Sequence, residues 1–283
     1  MKVVKSIDDV RCVVHAWKKE NLRVGLVPTM GFLHEGHESL VRRAVLENDR
    51  VVVSIFVNPT QFRPGEDLDR YPRNLESDTK MCRDCGAALV FTPEAGHMYP
   101  DGFATSIHVA GLTDALCGKS RPGHFDGVCT VVCKLLNIVS PDNAYFGQKD
   151  AQQLAVIRRM CEDLHLPVEI VPCPIVREKD GLAKSSRNSY LNAQERQSAL
   201  ALRKALDLVE SLYAAGQGSV AVLEAKMREV MERDPLVRVD YANIVAAATL
   251  APLERVQAPA LVAVAAYVGK TRLIDNTVLG AKA

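Results

Sequence analysis

Two histidines separated by a glutamate and a glycine form the first group of residues in this sequence whose types and spacing could perform chemistry. They lie in His34-Glu35-Gly36-His37, inside the stretch VPTMGFLHEGHES from Val27 to Ser39. An imidazole at a turn can donate a hydrogen bond to a phosphoryl oxygen as negative charge builds up in a transition state. Two histidines three residues apart are also compatible with half of a zinc site or with a polar helix start, so their context decides between these interpretations.

The segments on either side of the histidines favour a phosphate-binding turn. The apolar run from Val24 to Val27 predicts a buried strand closed by Pro28, and the residues from Leu40 to Val45 predict a helix with one apolar face. A glycine-containing turn between a strand and a helix lets the backbone approach a ligand, and the helix N-terminus favours negative charge.

A second candidate segment follows the β-branched run from Arg50 to Val57, which is typical of a parallel strand covered on both faces. Ligands of open α/β sheets bind at the carboxyl ends of the strands. Asn58 and Gln61, which follow this strand, are therefore candidate binding residues. An ordinary Asn-Pro turn explains the same pattern.

A third segment, Gly147-Gln148-Lys149-Asp150, repeats the arrangement of strand, glycine, polar residues and helix. The strand is predicted at residues 144–146 and the helix from Ala151. Asp150 and Gln153 have the form of a helix capping pair. Lys149 is harder to explain, because a cation opposes the helix dipole at an N-terminus, and a negatively charged ligand would offset that conflict.

Two further patterns suggest a zinc site and a Walker A loop, but each lacks part of the motif. Cys82-Arg83-Asp84-Cys85 is a C-x-x-C, but a zinc site needs a second pair of ligands. Cys129 and Cys133 lie in an apolar helical pattern, where cysteine behaves as a small hydrophobic residue. Cys117-Gly118-Lys119-Ser120 lacks the earlier glycine of a Walker A loop, because Thr113 stands in that place.

Composition bounds the class of protein. The chain has 283 residues, enough for two domains, and its 48% hydrophobic and 24% charged residues are ordinary for a globular protein. A net charge of +1, from 35 basic and 34 acidic residues, argues against a nucleic-acid partner, and no basic tail indicates a membrane surface. Because no signal peptide is recognisable, we predict a cytoplasmic protein whose eight cysteines are reduced.

The order of elements predicts an α/β fold with two domains. Alternating strands and helices predict a Rossmann-like parallel sheet over residues 1–175, and helices followed by strands predict a smaller α+β domain over 176–283. In the second domain, Asn192 and Glu195 predict the capped start of a long helix, roughly 193–214. Strands are predicted beyond Pro235.

Five segments together resemble one family, pantothenate synthetase (pantoate–β-alanine ligase), of the His-x-Gly-His nucleotidyltransferase superfamily. They are PTMGFLHEGH (28–37), FVNPTQF (56–62), RPGHFDGV (121–128), FGQKDAQQ (146–153) and DGLAKSSRNSYL (180–191). The resemblance implies that ATP, with Mg²⁺, converts pantoate to an enzyme-bound pantoyl adenylate and pyrophosphate. The amine of β-alanine then attacks the acyl carbon and releases pantothenate and AMP. A homodimer is also implied.

By the same resemblance, several residues of this sequence receive roles. Expected to stabilise charge on the phosphates during catalysis are His34, His37, Lys149 and Arg187. Expected to bind ATP, besides these, are Met30, Gly147, Asp150, Val176, Lys184, Ser185 and Ser186. Expected to bind pantoate are Gln61, Gln153, Met30 and Asn58. Asp78 is the candidate Mg²⁺ ligand, alongside the ATP phosphates and water.

One departure and three alternatives remain open at this point. Lys184 stands where the family commonly has Met, and it could contact phosphate or point to solvent. A sister nucleotidyltransferase would share the histidine turn without needing Gln61 and Gln153. A fragment of an aminoacyl-tRNA synthetase would need a basic face, and a zinc or thiol module would be built on Cys82 and Cys85.

Overall fold

A parallel sheet forms the first half of the molecule in a computed structural model that describes residues 1–280. Its six strands run in the order β1-β4-β3-β2-β5-β6. The strands are β1 (Lys2–Val4), β2 (Val24–Thr29), β3 (Arg50–Ile55), β4 (Leu89–Phe91), β5 (Asn143–Gly147) and β6 (Glu169–Cys173).

Both faces of this sheet are buried, which explains the nearly continuous apolar sequence of its strands. Successive residues of a strand face opposite sides. In β3, Val52 therefore packs into one core, whereas Val51 and Val53 pack into a second core on the other side of the sheet. Helices cover the two faces, and each contributes an apolar stripe to one of these cores.

The helices alternate with the strands in the first half and cluster after the sheet. They are α1 (Ile7–Lys19), α2 (Glu35–Glu47), α3 (Leu75–Asp84), α4 (Ala95–Met98), α5 (Cys117–Ser120), α6 (His124–Val139), α7 (Ala151–Asp163), α8 (Ala193–Ser198), α9 (Leu200–Ala214) and α10 (Val220–Glu232). Short 3₁₀ turns are Pro59–Gln61, Gln148–Asp150 and Ser186–Tyr190. None of the helices in the described part of the chain is both long and apolar enough to span a bilayer.

The topological switch point lies between β2 and β5. These strands are neighbours, but the chain continues from β2 to β3 on one side and from β5 to β6 on the other. Ligands of open α/β sheets bind in the crevice that such a reversal leaves at the carboxyl ends of the strands. The histidine turn follows β2 and the Gly147–Asp150 turn follows β5, so both reach this crevice.

A smaller antiparallel sheet follows, formed by β7 (Val237–Ala246), β8 (Ala260–Val268) and β9 (Thr271–Leu279) in that order. The central strand β8 is buried on both faces. Leu261, Ala263 and Ala265 join the core of the parallel sheet, whereas the alternate residues pack under the second group of helices. The two sheets therefore share a core.

The predicted α/β fold with a smaller second domain is confirmed, and some element limits differ. The long helix predicted over 193–214 divides at Ala199 into α8 and α9, although the predicted Asn192–Glu195 capping box is present. Strand β2 continues through Pro28 to Thr29, and β1 was not predicted. The division of the domains at 175/176 stays a prediction, and residues 281–283 lie outside the described range.

Candidate active site

The histidine turn places its two imidazoles at the start of α2. The His34 Nδ1 accepts a hydrogen bond from the Gly36 N–H (3.1 Å), and the His37 Nδ1 accepts one from the His34 N–H (3.3 Å). Each ring therefore carries its proton on Nε2, which is left to donate. Gly36 is required between them, because a Cβ there would lie 2.9 Å from the His34 ring.

Both imidazoles are neutral at physiological pH. Burial, reinforced by the Lys149 ammonium, lowers the pKa of His34 to about 4. Burial, with His34 and Lys149, lowers the pKa of His37 to about 3. The ring centroids lie 4.1 Å apart, so the two Nε2–H groups form a paired set of hydrogen-bond donors. A paired set of this kind suits oxygen atoms that gain negative charge.

The loop before the histidines is held by Asp78 of α3. Its carboxylate accepts hydrogen bonds from the Phe32 N–H (2.8 Å) and the Leu33 N–H (2.7 Å), and the side chain is 3% exposed. Gly31 turns the chain here with φ +86°, a conformation that favours glycine. This geometry gives Asp78 a positioning role, which differs from the Mg²⁺ ligand expected from the sequence.

Gln61 lies beside Met30 at the wall of the crevice. Its Nε2 lies 3.0 Å from the Met30 sulfur, and its Oε1 accepts a hydrogen bond from the Asn58 amide (3.1 Å). Asn58 itself is 1% exposed, and it also donates to the Gly127 carbonyl and accepts from the hydroxyl of Tyr99. Asn58 therefore sits behind Gln61 and orients it, rather than offering a free amide to a ligand.

Helix α6 approaches the Gln61 segment closely. A Cβ on Gly127 would lie 2.5 Å from the Thr60 carbonyl oxygen, so only glycine fits at this contact. His124 Nδ1 donates to the Gln61 carbonyl (2.8 Å), and its Nε2 accepts from Arg121 (3.0 Å). Burial and the Arg121 charge lower the pKa of His124 to about 4, so this ring is also neutral. The RPGHFDGV segment thus supports Gln61, a role that its sequence pattern did not reveal.

The Gly147–Asp150 turn places Lys149 and Asp150 at the crevice after β5. The Lys149 ammonium lies 3.8 Å from the Asp150 carboxylate, and its side chain is 21% exposed. Asp150 makes no side-chain capping hydrogen bond at α7, so the predicted Asp150–Gln153 capping pair is wrong. A 3₁₀ turn precedes the helix and directs the carboxylate towards Lys149 instead.

The adjacent glutamines Gln152 and Gln153 differ in environment. Gln152 is 6% exposed, and its amide binds backbone groups of Cys117, Leu112 and Ala115. Gln153 is half-buried and lines the crevice. The helical turn thus assigns the first amide to the interior and the second to a ligand-accessible surface.

The serine loop, residues 180–191, also lines the crevice. Ser185 Oγ accepts from the Arg187 N–H, and the Ser186 hydroxyl donates to the Phe32 carbonyl (3.3 Å). The Lys184 ammonium pairs with the Glu35 carboxylate of the histidine turn (2.9 Å). The sequence left open whether this ammonium contacts phosphate or points to solvent, and in this structure it does neither. The N–H of Lys184 donates to the Val176 carbonyl (2.9 Å).

Arg187 is held by an acidic loop. Its guanidinium donates two hydrogen bonds of 3.0 Å to the Asp67 carboxylate. Burial alone would raise the pKa of Asp67, but Arg187 outweighs it and holds that pKa below its ordinary value. The Arg187 guanidinium, which is expected from the sequence to bind phosphate, is therefore bound to the Asp67 carboxylate in this structure.

These segments enclose a cavity of about 290 Å³, which the second sheet completes. The structure brings every sequence-predicted site residue except Asp78 to its wall. It adds Tyr241, Arg272 and Asn276 from the antiparallel sheet, which sequence reasoning missed because they lie on a separate sheet, more than 90 residues beyond the Gly147–Asp150 turn.

The cysteines take no part in a metal cluster within the described residues. All eight are unpaired, and Cys82 and Cys85 are buried. Burial raises the pKa of Cys82 to about 12, which keeps the thiol protonated. In residues 1–280 no group of three or more histidine, cysteine, aspartate or glutamate side chains is arranged to hold a metal ion.

The fold and the site together define a class of protein: α/β enzymes that bind a phosphorylated ligand at the switch point of a parallel sheet. The sequence model of the pantoate-beta-alanine ligase family matches residues 2–278. The chain therefore belongs to the pantoate–β-alanine ligase family, and it is an enzyme that ligates pantoate and β-alanine.

Similar proteins agree over nearly the whole chain. A pantothenate synthetase of Ruminiclostridium cellulolyticum is 55% identical over 98% of each chain. The crystal structure of pantothenate synthetase from Thermus thermophilus has a TM-score of 0.93 and 47% identity, covering 98% of this chain and 99% of that one. A pantoate-beta-alanine ligase from Francisella tularensis, complexed with beta-gamma ATP and beta-alanine, has a TM-score of 0.81 and 34% identity, covering 98% and 97%.

Proposed function

We propose that this chain performs the ligation in two steps through an enzyme-bound pantoyl adenylate. In the first, a pantoate carboxylate oxygen bonds to the α-phosphorus of ATP and the bond to pyrophosphate breaks. In the second, the amine of β-alanine attacks the acyl carbon, AMP leaves and pantothenate is formed. The observation that carries the proposal is the paired, neutral His34 and His37 imidazoles beside Lys149 at the switch point.

The first step concentrates negative charge on the phosphates, and the surrounding groups suit that charge. The Nε2–H groups of His34 and His37 donate to phosphoryl oxygens, while the Lys149 ammonium supplies a positive charge. Arg187 adds a second cation when the triphosphate displaces Asp67. The His34 and His37 donors are fixed by the fold before the substrates arrive, which limits reorganisation during the reaction.

The nucleotide is bound along the wall between the two turns. Gly147 and Asp150 hold the ribose, and a Cβ at Gly147 would meet no atom within 4 Å, so the backbone there is open to a ligand. The backbone of Val176 contacts adenine. Lys184, Ser185, Ser186 and Met30 complete the phosphate contacts. A relative that binds a β,γ-ATP compound supports this assignment.

Pantoate is bound by two amides from different segments of the crevice wall. Gln61 and Gln153 contact its hydroxyl and carboxylate groups, Met30 packs beside it, and Asn58 orients Gln61. Holding pantoate against the α-phosphate supplies much of the acceleration, because no side chain has to act as a nucleophile.

Mg²⁺ enters with the nucleotide in this proposal. The described residues form no cage for the ion, and both oxygens of Asp78 are engaged by backbone N–H groups. The protein groups therefore fit a metal held by ATP phosphates and water, which neutralises charge on those phosphates.

The homodimer and the cytoplasmic location remain predictions. Light scattering at micromolar concentration tests the homodimer, and a monomer in that measurement would contradict it.

The direct test is a component-omission assay. AMP and pyrophosphate are measured from ATP, Mg²⁺, pantoate and β-alanine, leaving out each in turn. We expect steady turnover to AMP only when all four are present. Pyrophosphate release that ignores pantoate would instead indicate a different nucleotidyltransferase.

A further inference from the structure

Asn276 is a buried polar residue that the reaction described above does not use. It lies in β9 beside Asp275, and the two side chains are 5% and 3% exposed. Because successive residues of a strand face opposite sides, this pair presents one polar group to each face of the sheet. Buried polar groups need hydrogen-bond partners, so the partners indicate what the pair does.

The Asn276 amide reaches across to the parallel sheet. Its Nδ2 donates to the carbonyl oxygens of Gln148 (3.0 Å) and Lys149 (2.8 Å). Both carbonyls belong to the 3₁₀ turn between β5 and α7. One side chain of the second sheet thus holds two consecutive peptide units of the turn that carries Lys149.

Asp275 fixes the strand from its other face. Its carboxylate accepts hydrogen bonds of 2.6 and 3.0 Å from the Arg177 guanidinium, and Arg177 also donates to the Gly181 carbonyl (3.1 Å). These contacts tie β9 to the start of the serine loop. Asn276 is therefore mounted on a strand that is anchored on both sides, which makes it a rigid support.

We propose that Asn276 is a positioning residue for adenylate formation, acting through Lys149. A lysine side chain has many rotamers, so its ammonium meets developing charge reproducibly only if its backbone is fixed. Misplacing a catalytic group by about 1 Å can lower a rate by about 100-fold. The inference rests on the role proposed for Lys149 and adds the element that sets its location.

A double-mutant cycle tests this coupling. We measure the single-turnover rate of adenylate formation in the wild type, Asn276→Ala, Lys149→Ala and the double variant. When Lys149 is present, Asn276→Ala should lower the rate by about tenfold or more, because the turn loses both hydrogen bonds from the Asn276 amide. In the Lys149→Ala background it should lower the rate by less than about twofold, since the group it positions is gone.

Two further readouts separate positioning from general stability. The KM for pantoate should change by less than about twofold in Asn276→Ala, because Gln61 lies on a different segment and Gln153 lies within helix α7 rather than in the 3₁₀ turn that Asn276 holds. Asn243→Ala is the matched control: Asn243 lies in β7 of the same sheet, but its amide contacts Glu224 away from the cavity. Its rate should match the wild type.

Equal losses in the two backgrounds would overturn the proposal, as would an unchanged rate in Asn276→Ala or a comparable loss in Asn243→Ala. If Asn276→Ala does not fold, Asn276→Ser, which retains one donor, is used in the same cycle. Failure of both variants to fold would assign Asn276 a purely structural role and also overturn it. A wild type without pantoate-dependent pyrophosphate release would refute the proposed function instead.

Discussion

In the proposed reaction His34 and His37 act as neutral donors, because their pKa values are lowered and each Nδ1 already accepts a hydrogen bond. The folded-state pKa values, about 4 and about 3, lie below the ordinary value of 6.5. As the pH falls below 6.5, these histidines therefore take up protons in the unfolded chain before they do so in the folded site. The free energy of unfolding should therefore decline as the pH falls from about 6.5 to about 3, with the His34 part lost by about pH 4.

Ring ¹⁵N chemical shifts measured against pH test this protonation state. At pH 6 we expect both rings to be neutral, with the proton on Nε2 and an unprotonated Nδ1. A ring that titrates near the ordinary histidine pKa of about 6.5, or that carries its proton on Nδ1, would contradict the donor role.

The Lys184–Glu35 ion pair predicts opposite effects for its two partners. A triphosphate that binds Lys184 has to compete with the Glu35 carboxylate. Lys184→Met should therefore raise the KM for ATP, and Glu35→Gln should lower it, each by about two- to fivefold, as expected for a partly exposed pair. Glu38→Gln, which removes a carboxylate paired with Arg42 on the same helix, is the control. Changes in the same direction would show that Lys184 does not contact ATP.

Asp78 provides a test between a structural carboxylate and a metal ligand. Asp78→Asn leaves a backbone N–H of the histidine loop facing an amide N–H, so we expect a stability loss of about 1–3 kcal/mol and a lower kcat. The Mg²⁺ concentration for half-maximal activity should not change. Glu76→Gln, an exposed carboxylate on the same helix, is the matched control. An increased Mg²⁺ requirement specific to Asp78→Asn would restore the metal role.

At the scale of elements, the contact between α6 and the Pro59–Gln61 turn sets the position of Gln61. Gly127→Ala would drive a methyl group into the Thr60 carbonyl, so we expect a stability loss of about 1–3 kcal/mol and a several-fold higher KM for pantoate. Gly96→Ala, where a Cβ meets no atom within 4 Å, should change neither quantity. An unchanged pantoate KM in Gly127→Ala would show that α6 does not position this substrate site.

Most helices and strands could be predicted from the sequence, because the patterns that mark them lie within the element itself. The β-branched runs and helical periodicities found the longer strands and helices, and Asn192 with Glu195 marked the start of α8 correctly. Strand β1, only three residues long, gives no periodicity to detect. The Asp150 cap was wrong because a capping pattern does not distinguish a helix start from a preceding 3₁₀ turn.

At the scale of the whole molecule, the site depends on contacts that no local pattern encodes. The strand ends at the switch point could be predicted, since they follow from the order of elements. Asn276 and Arg187 illustrate what could not. Asn276 meets the Lys149 turn across 127 residues, and Arg187 meets Asp67 across 120.

The shared core explains how such distant groups are held together. Residues of β8 pack against the parallel sheet on one face and against α9 and α10 on the other. The second sheet therefore completes the cavity and supports its turns at the same time. This arrangement links the stability of the second sheet to the geometry of the site.

The most direct test of the central claim is a rapid-quench measurement with ATP, Mg²⁺ and pantoate but without β-alanine. We expect a burst of one pyrophosphate per active site and an equivalent amount of enzyme-bound pantoyl adenylate. His34→Ala and Lys149→Ala should slow that burst by about 100-fold, the scale of losing one such donor. Pyrophosphate that appears only when β-alanine is present, or a burst rate unchanged in both variants, would contradict adenylate formation at this site.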